Sequence, residues 1–218
     1  MKHIFCLLIT SWICYPLYAQ PNLVEKSHYL FPEFTRGVVL MKDGKTNNAS
    51  LNYNSLTEEM IFENKGTKMA IAPNQIPLID TVFINNRKFV VFNDKFVESV
   101  YRSTWGLYIE HKCKLEEQGT PAGYGGTTQT SAAKSVSTLA SEGRVIYDLK
   151  LPDRYKTNPY FIYWLSKNGE LNNFANLREL KKLFEDEKDQ IKKYSKTHHV
   201  KYEDQESIVQ LIGFLVSN

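Results

Sequence analysis

Cysteine is nearly missing from this chain: Cys6, Cys14 and Cys113 are the only three in 218 residues. That scarcity excludes a disulfide-stapled miniprotein. No apolar run reaches the length a transmembrane helix needs. No segment gathers charge of one sign. The 27 Lys+Arg stand against 24 Asp+Glu, a net +3, and the two signs are equal in number from Phe174 to Asn218. A nucleic-acid binder shows a basic stripe, so nucleic acid is not an expected partner. There is no internal repeat of fixed period. What remains is an ordinary globular balance, 42% hydrophobic, 23% charged and 13% aromatic, which excludes a mostly disordered or collagen-like chain.

The N-terminus has the layout of a secretory signal peptide. Lys2 and His3 form a short basic start, Ile4 to Cys14 is almost wholly apolar, and Leu17-Tyr18-Ala19 offers a small residue before Gln20. Cleavage is expected after Ala19. Lipidation at Cys14 is the rival reading. Ser11, Trp12 and Ile13 precede it, and a bulky Ile just before the cysteine suits lipoprotein processing poorly. The chain after cleavage keeps one cysteine, Cys113, so no internal disulfide is expected and stability must come from a core.

The spacing predicts an α+β protein. An antiparallel β meander (a small barrel, roll or sandwich) fills residues 20–116. A mobile Gly/Ser/Thr-rich loop spans 117–143. Residues 144–218 hold a short second sheet region, a β hairpin plus C-terminal helices packing on the same core. Val38-Val39-Leu40-Met41 closed by Asp43-Gly44 is a strand and hairpin signal. Ala49, Leu51 and Tyr53 alternate with polar neighbours, and so do Leu107, Ile109, His111, Cys113 and Leu115, which is strand period. Further strands are expected at Met60-Ile61-Phe62, Met69-Ala70-Ile71, Val82-Phe83-Ile84, Phe89 to Phe92, Val145 to Leu151, Tyr160 to Ser166 and Glu170 to Phe174. Leu177, Leu180 and Phe184 share a helical face. Asp186 is placed to cap a second helix, and Glu203 or Asp204 a third whose stripe is Ile208, Leu211, Ile212 and Leu215.

Gly37-Val38-Val39-Leu40-Met41-Lys42-Asp43-Gly44, Leu51-Asn52-Tyr53-Asn54, Gly123-Tyr124-Gly125-Gly126-Thr127 and the helices from Leu180 to Leu215 together resemble a family of uncharacterised exported proteins from Bacteroidetes. The resemblance covers most of the mature chain. It implies a periplasmic or surface location and supplies no catalytic residues. Tyr18-Ala19-Gln20 at the cleavage site is typical of that phylum.

Candidate chemistry is sparse. Leu78-Ile79-Asp80-Thr81-Val82 is compared with the aspartic-protease loop, but Val82 stands where that loop needs Gly, and the chain has no second copy. Asp80-Thr81-Val82 also resembles the short O-glycosylation signal of exported Bacteroidetes proteins, which would modify Thr81. His111 and Cys113 share one strand face, yet a zinc site needs two more ligands. His198-His199 falls in the turn before the last helix, so a core cysteine, a hydrogen-bonded histidine and no metal are expected. Tyr124, Gly125, Gly126 and Thr127 could form a backbone nest, and they are the candidate binding residues. They lack the Lys of a nucleotide-binding loop. Ser135, Ser137 and Ser141 sit in no Gly-x-Ser-x-Gly elbow. Tyr160, Ile162 and Trp164 face opposite to Phe161, Tyr163 and Leu165, so that strand is expected to be covered on both sides.

The expected function is that of a non-catalytic exported binding or accessory protein of the periplasm or outer membrane. It would need no cofactor, and its partner would be an envelope protein or surface ligand. The alternative is a periplasmic hydrolase with a site near the Gly-rich loop.

Overall fold

Alternating short strands and tight turns build a single ten-stranded antiparallel sheet in the computed structural model, which describes residues 27–117, 121–122, 126–127, 155–167 and 169–217. The expected leader and the strand signals from Val145 to Leu151 lie outside these residues. The strands are β1 (Thr35–Met41), β2 (Thr46–Asn54), β3 (Glu59–Asn64), β4 (Thr67–Ala70), β5 (Ile79–Ile84), β6 (Arg87–Phe92), β7 (Lys95–Arg102) and β8 (Gly106–Glu117). After a two-stranded ribbon of β9 (Pro121–Ala122) and β10 (Gly126–Thr127) come β11 (Tyr155–Lys167) and β12 (Glu170–Phe174). The order across the sheet is β12-β11-β8-β7-β6-β5-β1-β2-β3-β4. Two meanders therefore meet at β1, which pairs with β2 on one side and with β5 on the other.

Turn chemistry sets the register. Lys65 and Gly66 both take positive φ, 51° and 81°, between β3 and β4. Asn93 and Asp94 do the same, 47° and 58°, between β6 and β7. These are the left-handed pairs that match the twist of a tight hairpin. The second pair marks a strand that the sequence pattern does not announce: β7 breaks its apolar run with Glu98.

The hairpin of residues 144–218 is a correction to the expected layout. It is not a second sheet region, because β11 pairs with β8 from Tyr155↔Glu117 to Ser166↔Gly106 and so extends the first sheet. Three helices then cover one face of that end: α1 (Leu177–Leu183), α2 (Lys188–Thr197) and α3 (Gln205–Ser217). Asn176 caps α1 by accepting from the Arg178 and Glu179 amides, while Glu179 accepts from the Ala175 amide, a reciprocal box. Asp204 accepts from the Ser207 amide at the start of α3, as expected. The α2 cap is Glu187 rather than Asp186, with no side-chain capping bond.

Two cores lie on the same sheet face. Helix residues Leu180, Phe184, Ile191, Ile208, Leu211, Ile212 and Leu215 bury Leu107, Ile109, Tyr163, Leu165 and Phe174. Beyond β7 none of these three helices contributes, and Val39, Leu51, Tyr53, Met60, Val82, Ile84, Phe89 and Phe96 bury one another. The sheet must curl to do this. In a flat sheet β3 would stand about 24 Å from β7, five strand spacings away, yet the two strands touch. The opposite face of β11 departs from expectation. Tyr160, Ile162 and Trp164 are half-buried there with no described helix over them, and Trp164 packs against Phe92.

Gly37 lies where β5 crosses close to β1. A Cβ there would meet the Phe83 carbonyl oxygen at 2.5 Å and Leu51 Cδ1 at 2.8 Å. The carbonyl belongs to backbone and cannot swing away, so Gly37→Ala is expected to cost about 1–3 kcal/mol. The check is a lower urea midpoint at unchanged slope; a midpoint equal to wild type would refute it.

Candidate functional site

A buried polar junction separates the two cores. Pairing in β6, β7 and β8 brings Arg87, Glu98 and His111 together on the inner face. Arg87 Nε donates to Glu98 Oε1 at 2.6 Å and its Nη2 to Oε2 at 2.5 Å, a bidentate fork. His111 Nε2 lies 2.7 Å from Glu98 Oε2 and 2.9 Å from Arg87 Nη2. An ionised carboxylate has no proton to donate and only accepts, so Nε2 carries the proton and donates to Glu98. The Arg87 guanidinium also sits over the Phe31 and Phe89 rings, at 5.2 and 5.7 Å. Burial pushes the Glu98 carboxyl up, but hydrogen bonds from Arg87 and His111, with the Arg87 charge, hold it down at about 2. Burial lowers the His111 pKa, partly offset by Glu98 and reinforced by Arg87. Every charged group in the cluster is thereby occupied by another.

A second ionic set pins the far lip of the curl. Glu58, in the turn after β2 at φ 60°, reaches Lys95 and, at 2.6 Å, Lys112. Lys112 also contacts Glu110 at 3.0 Å, and Trp164 Nε1 donates to Glu110 Oε2 at 2.9 Å. Glu110 is buried, which raises its pKa, but the Trp164 and Lys112 hydrogen bonds outweigh this and lower it. Burial would strip Lys112 of its proton, yet the bonds to Glu58 and Glu110 raise its pKa instead.

Beside Glu58 and Lys95 opens a cavity of about 540 Å³. Met60, Ile71, Pro73, Ile76, Pro77 and Phe96 make its apolar wall, and Thr57, Glu58, Glu59, Asp94 and Lys95 its polar rim. Ile76 and Pro77 come from a 3-10 turn, Ile76–Leu78, that steers the chain from β4 across to β5. The Thr57 hydroxyl is buried without a hydrogen-bond partner, an unusual state for a polar atom.

The residues singled out in the sequence do not converge here. Tyr124 and Gly125 lie outside the described residues. Gly126 and Thr127 form β10, paired with Ala122 and Pro121. Ser135, Ser137 and Ser141 also lie outside. Thr81 is buried in β5 and its hydroxyl donates to Asp80 at 2.8 Å, so it is enclosed rather than presented. His198 stacks on Tyr194 at 3.9 Å. Among the described residues no group of three or more His, Cys, Asp and Glu side chains is placed to hold a metal ion, and no helix is long and apolar enough to cross a membrane.

Cys113 lies on the inner face beside His111 and is 8% exposed. Burial pushes its thiol up to about 11, against a weaker pull from the Asn158 backbone. A protonated, enclosed thiol is a poor nucleophile. Thiol reagents should therefore label the native protein only as fast as it opens, and rapid single-phase labelling would contradict this.

Sequence reasoning found His111 but missed its partners. The available signal was Glu98, a lone carboxylate in Phe96-Val97-Glu98-Ser99-Val100. A charge inside an apolar strand needs a partner. The cavity had no such signal, because its wall is drawn from β3, β7 and the segment between β4 and β5.

Fold and cavity define a class: an α+β protein with a curled antiparallel sheet, helices over one end and an open cavity at the other. No family model, curated protein or solved structure matches the chain.

Proposed function

We propose that the chain is an exported, non-catalytic binding protein of the periplasm or outer membrane, and that the cavity at the lip of the curled sheet holds its ligand. The observation that carries this reading is the cavity itself. Its volume of about 540 Å³ falls in the ~300–1,000 Å³ range of small-molecule sites, with an apolar wall and a few polar groups at the mouth. The ion pairs from Glu58 to Lys95 and Lys112 tie the turn that carries Thr57 and Glu58 to β7 and β8 beside that mouth. The non-catalytic part is supported by the state of the reactive groups: Glu98, His111 and Arg87 satisfy one another, and Cys113 is kept protonated. Export rests on the apolar leader ending at Ala19, and the envelope location on the resemblance to exported Bacteroidetes proteins. Ile71 is half-buried at the lip, where it packs on the edge of the helix-free core, so Ile71→Trp should block the cavity at a modest cost in stability, and the variant is compared only once its urea transition shows it folded. Native mass spectrometry of protein released gently from its envelope should show a non-covalent adduct that this variant lacks. Identical adducts on both proteins, or none on the wild type, would overturn the reading.

A further inference from the structure

We infer that residues 27–34 form an acid-released strap: when the His28 ring gains a proton, the strap leaves β2 while the sheet stays folded. Its attachment is local. β1 begins at Thr35, opposite Leu51, and the strap takes over along the end of β2. The Leu30 amide donates to the Tyr53 carbonyl at 2.9 Å and the Ser55 amide to the His28 carbonyl at 2.8 Å, on either side of the Tyr29↔Asn54 bridge. Asn52 Oδ1 accepts from the Phe31 amide at 3.1 Å, and its Nδ2 donates to the carbonyls of Phe31 and Glu33 at 3.0 and 3.3 Å. The Phe31 ring seats in the helix-free core, edge-on to Phe89 at 6.2 Å. None of these bonds belongs to the ladders that join β1, β2 and β3, so they can break as a unit without the sheet.

His28 makes that unit sensitive to acid. The residue is 7% exposed, its ring lies 4.4 Å from the Tyr29 ring, and its Nε2 is enclosed with no hydrogen-bond partner. A neutral imidazole carries one N–H and an imidazolium two. Protonation in place therefore strands a charge on an enclosed ring whose Nε2 has no acceptor. The neighbouring charge adds to the cost. Lys68 of β4 bears on the ring with the same sign, and it stays beside the strap, over the Tyr29 and Phe34 rings at 5.9 and 5.2 Å. On the β2 side the residues opposite, Asn54 and Ser55, carry no charge. Burial first, and Lys68 second, hold the His28 pKa below 6.5. Docking is therefore fully present above 6.5 and weakens as pH falls below it. His111 differs, because its Nε2 meets Glu98 and it lies within β8, so its titration is felt by the whole sheet. Release uncovers the Phe31 seat and frees the Tyr53 carbonyl and the Ser55 amide, next to the turn that carries Thr57 and Glu58.

The test is amide hydrogen exchange of the full mature chain, read by NMR and corrected for the intrinsic exchange rate at each pH. Each pH unit below 6.5 multiplies the released population by up to about tenfold. Between about pH 7.5 and about pH 5, the Leu30, Phe31 and Ser55 amides should therefore lose at least about tenfold in protection, under a ceiling of about thirtyfold. Low, sub-denaturing urea should leave their exchange unchanged, because releasing the strap exposes little surface. The Ile109 amide of β8 reports global opening and should respond to urea. His28→Phe and His28→Gln each remove the titrating ring, and in both the acid loss should vanish from the strap amides. His111→Phe should keep it. Three results would sink the switch. One is strap protection that holds steady from about pH 7.5 to about pH 5. Another is the same acid loss in both His28 variants. The third is strap exchange that follows urea as Ile109 does, for then the strap opens only when the whole chain unfolds.

Discussion

Glu98→Ala is expected to destabilise the fold by about 3 kcal/mol, the lower end of the cost of breaking a buried ion pair. The carboxylate side chain is 7% exposed, so its loss leaves His111 and Arg87 without their shared acceptor. Arg87 keeps 28% of its side chain in water, and that screening is why the upper end is not expected. Replacing Arg87, Glu98 and His111 together by apolar residues of similar volume should recover most of the loss, because it removes the stranded charges along with the pair. The pH dependence has a definite sign. The folded state holds the Glu98 pKa at about 2 against an ordinary 4.5. This contribution is present above 4.5 and fades as pH falls towards 2. Burial holds the His111 pKa below 6.5. The unfolded chain therefore takes up that proton first, and stability begins to fall below pH 6.5. Urea midpoints across this range should decline in both windows for wild type, and His111→Phe should shrink the upper one to the share of His28, whose pKa burial and the Lys68 charge also lower. A Glu98→Ala midpoint within error of wild type would sink the account.

Phe174→Ala should be at least as costly, about 3–5 kcal/mol. Phe174 is fully buried at the end of the edge strand β12. It stacks on Tyr163 at 5.2 Å and meets Tyr202 edge-on at 6.3 Å. The Tyr202 hydroxyl donates to the Phe161 carbonyl at 3.0 Å and approaches that of Phe174 at 3.4 Å. Removing the ring leaves a void between sheet and helices, bounded by atoms that cannot all move in. Phe174→Leu should lose markedly less, since it refills most of the volume. Leu78, 52% exposed, sets the scale at the other extreme: its alanine variant should stay within about 0.5 kcal/mol. Similar midpoints for Phe174→Ala and Leu78→Ala would show that the helix-covered core does not carry the fold.

Local signals carried the sequence reading as far as the strands and helices. Period-two alternation in β2 and β8, the Asp43-Gly44 turn and the stripe of α3 each depend on neighbours a few residues apart, so they survive in one dimension. β7 was lost because Glu98, facing inward, broke its apolar pattern. The pairing of Thr35–Met41 with both β2 and β5, and the join of β11 to β8, depend on partners far along the chain. Composition does not encode such pairings. The same holds for the cavity. Thr57, Ile71, Ile76, Asp94 and Phe96 become neighbours only because the sheet curls, and no pair of them is spaced as a motif. The sequence directed attention to residues 123–127 instead, because glycine-rich composition is visible locally.

The ladder between β8 and β11 has a consequence for how the chain tolerates change. Glu117 and Tyr155 are direct partners across that ladder, so the segment between them leaves and re-enters the sheet at one point. Its ends are already held together by the longest pairing among the described residues. Closing a loop between fixed neighbours depends weakly on length, about 0.6 kcal/mol for each doubling. Residues can therefore accumulate or disappear there over evolutionary time with little effect on the frame, while the short hairpins at Asn93-Asp94 and Lys65-Gly66 have no such latitude. That strand junction is the position at which related chains should differ most in length.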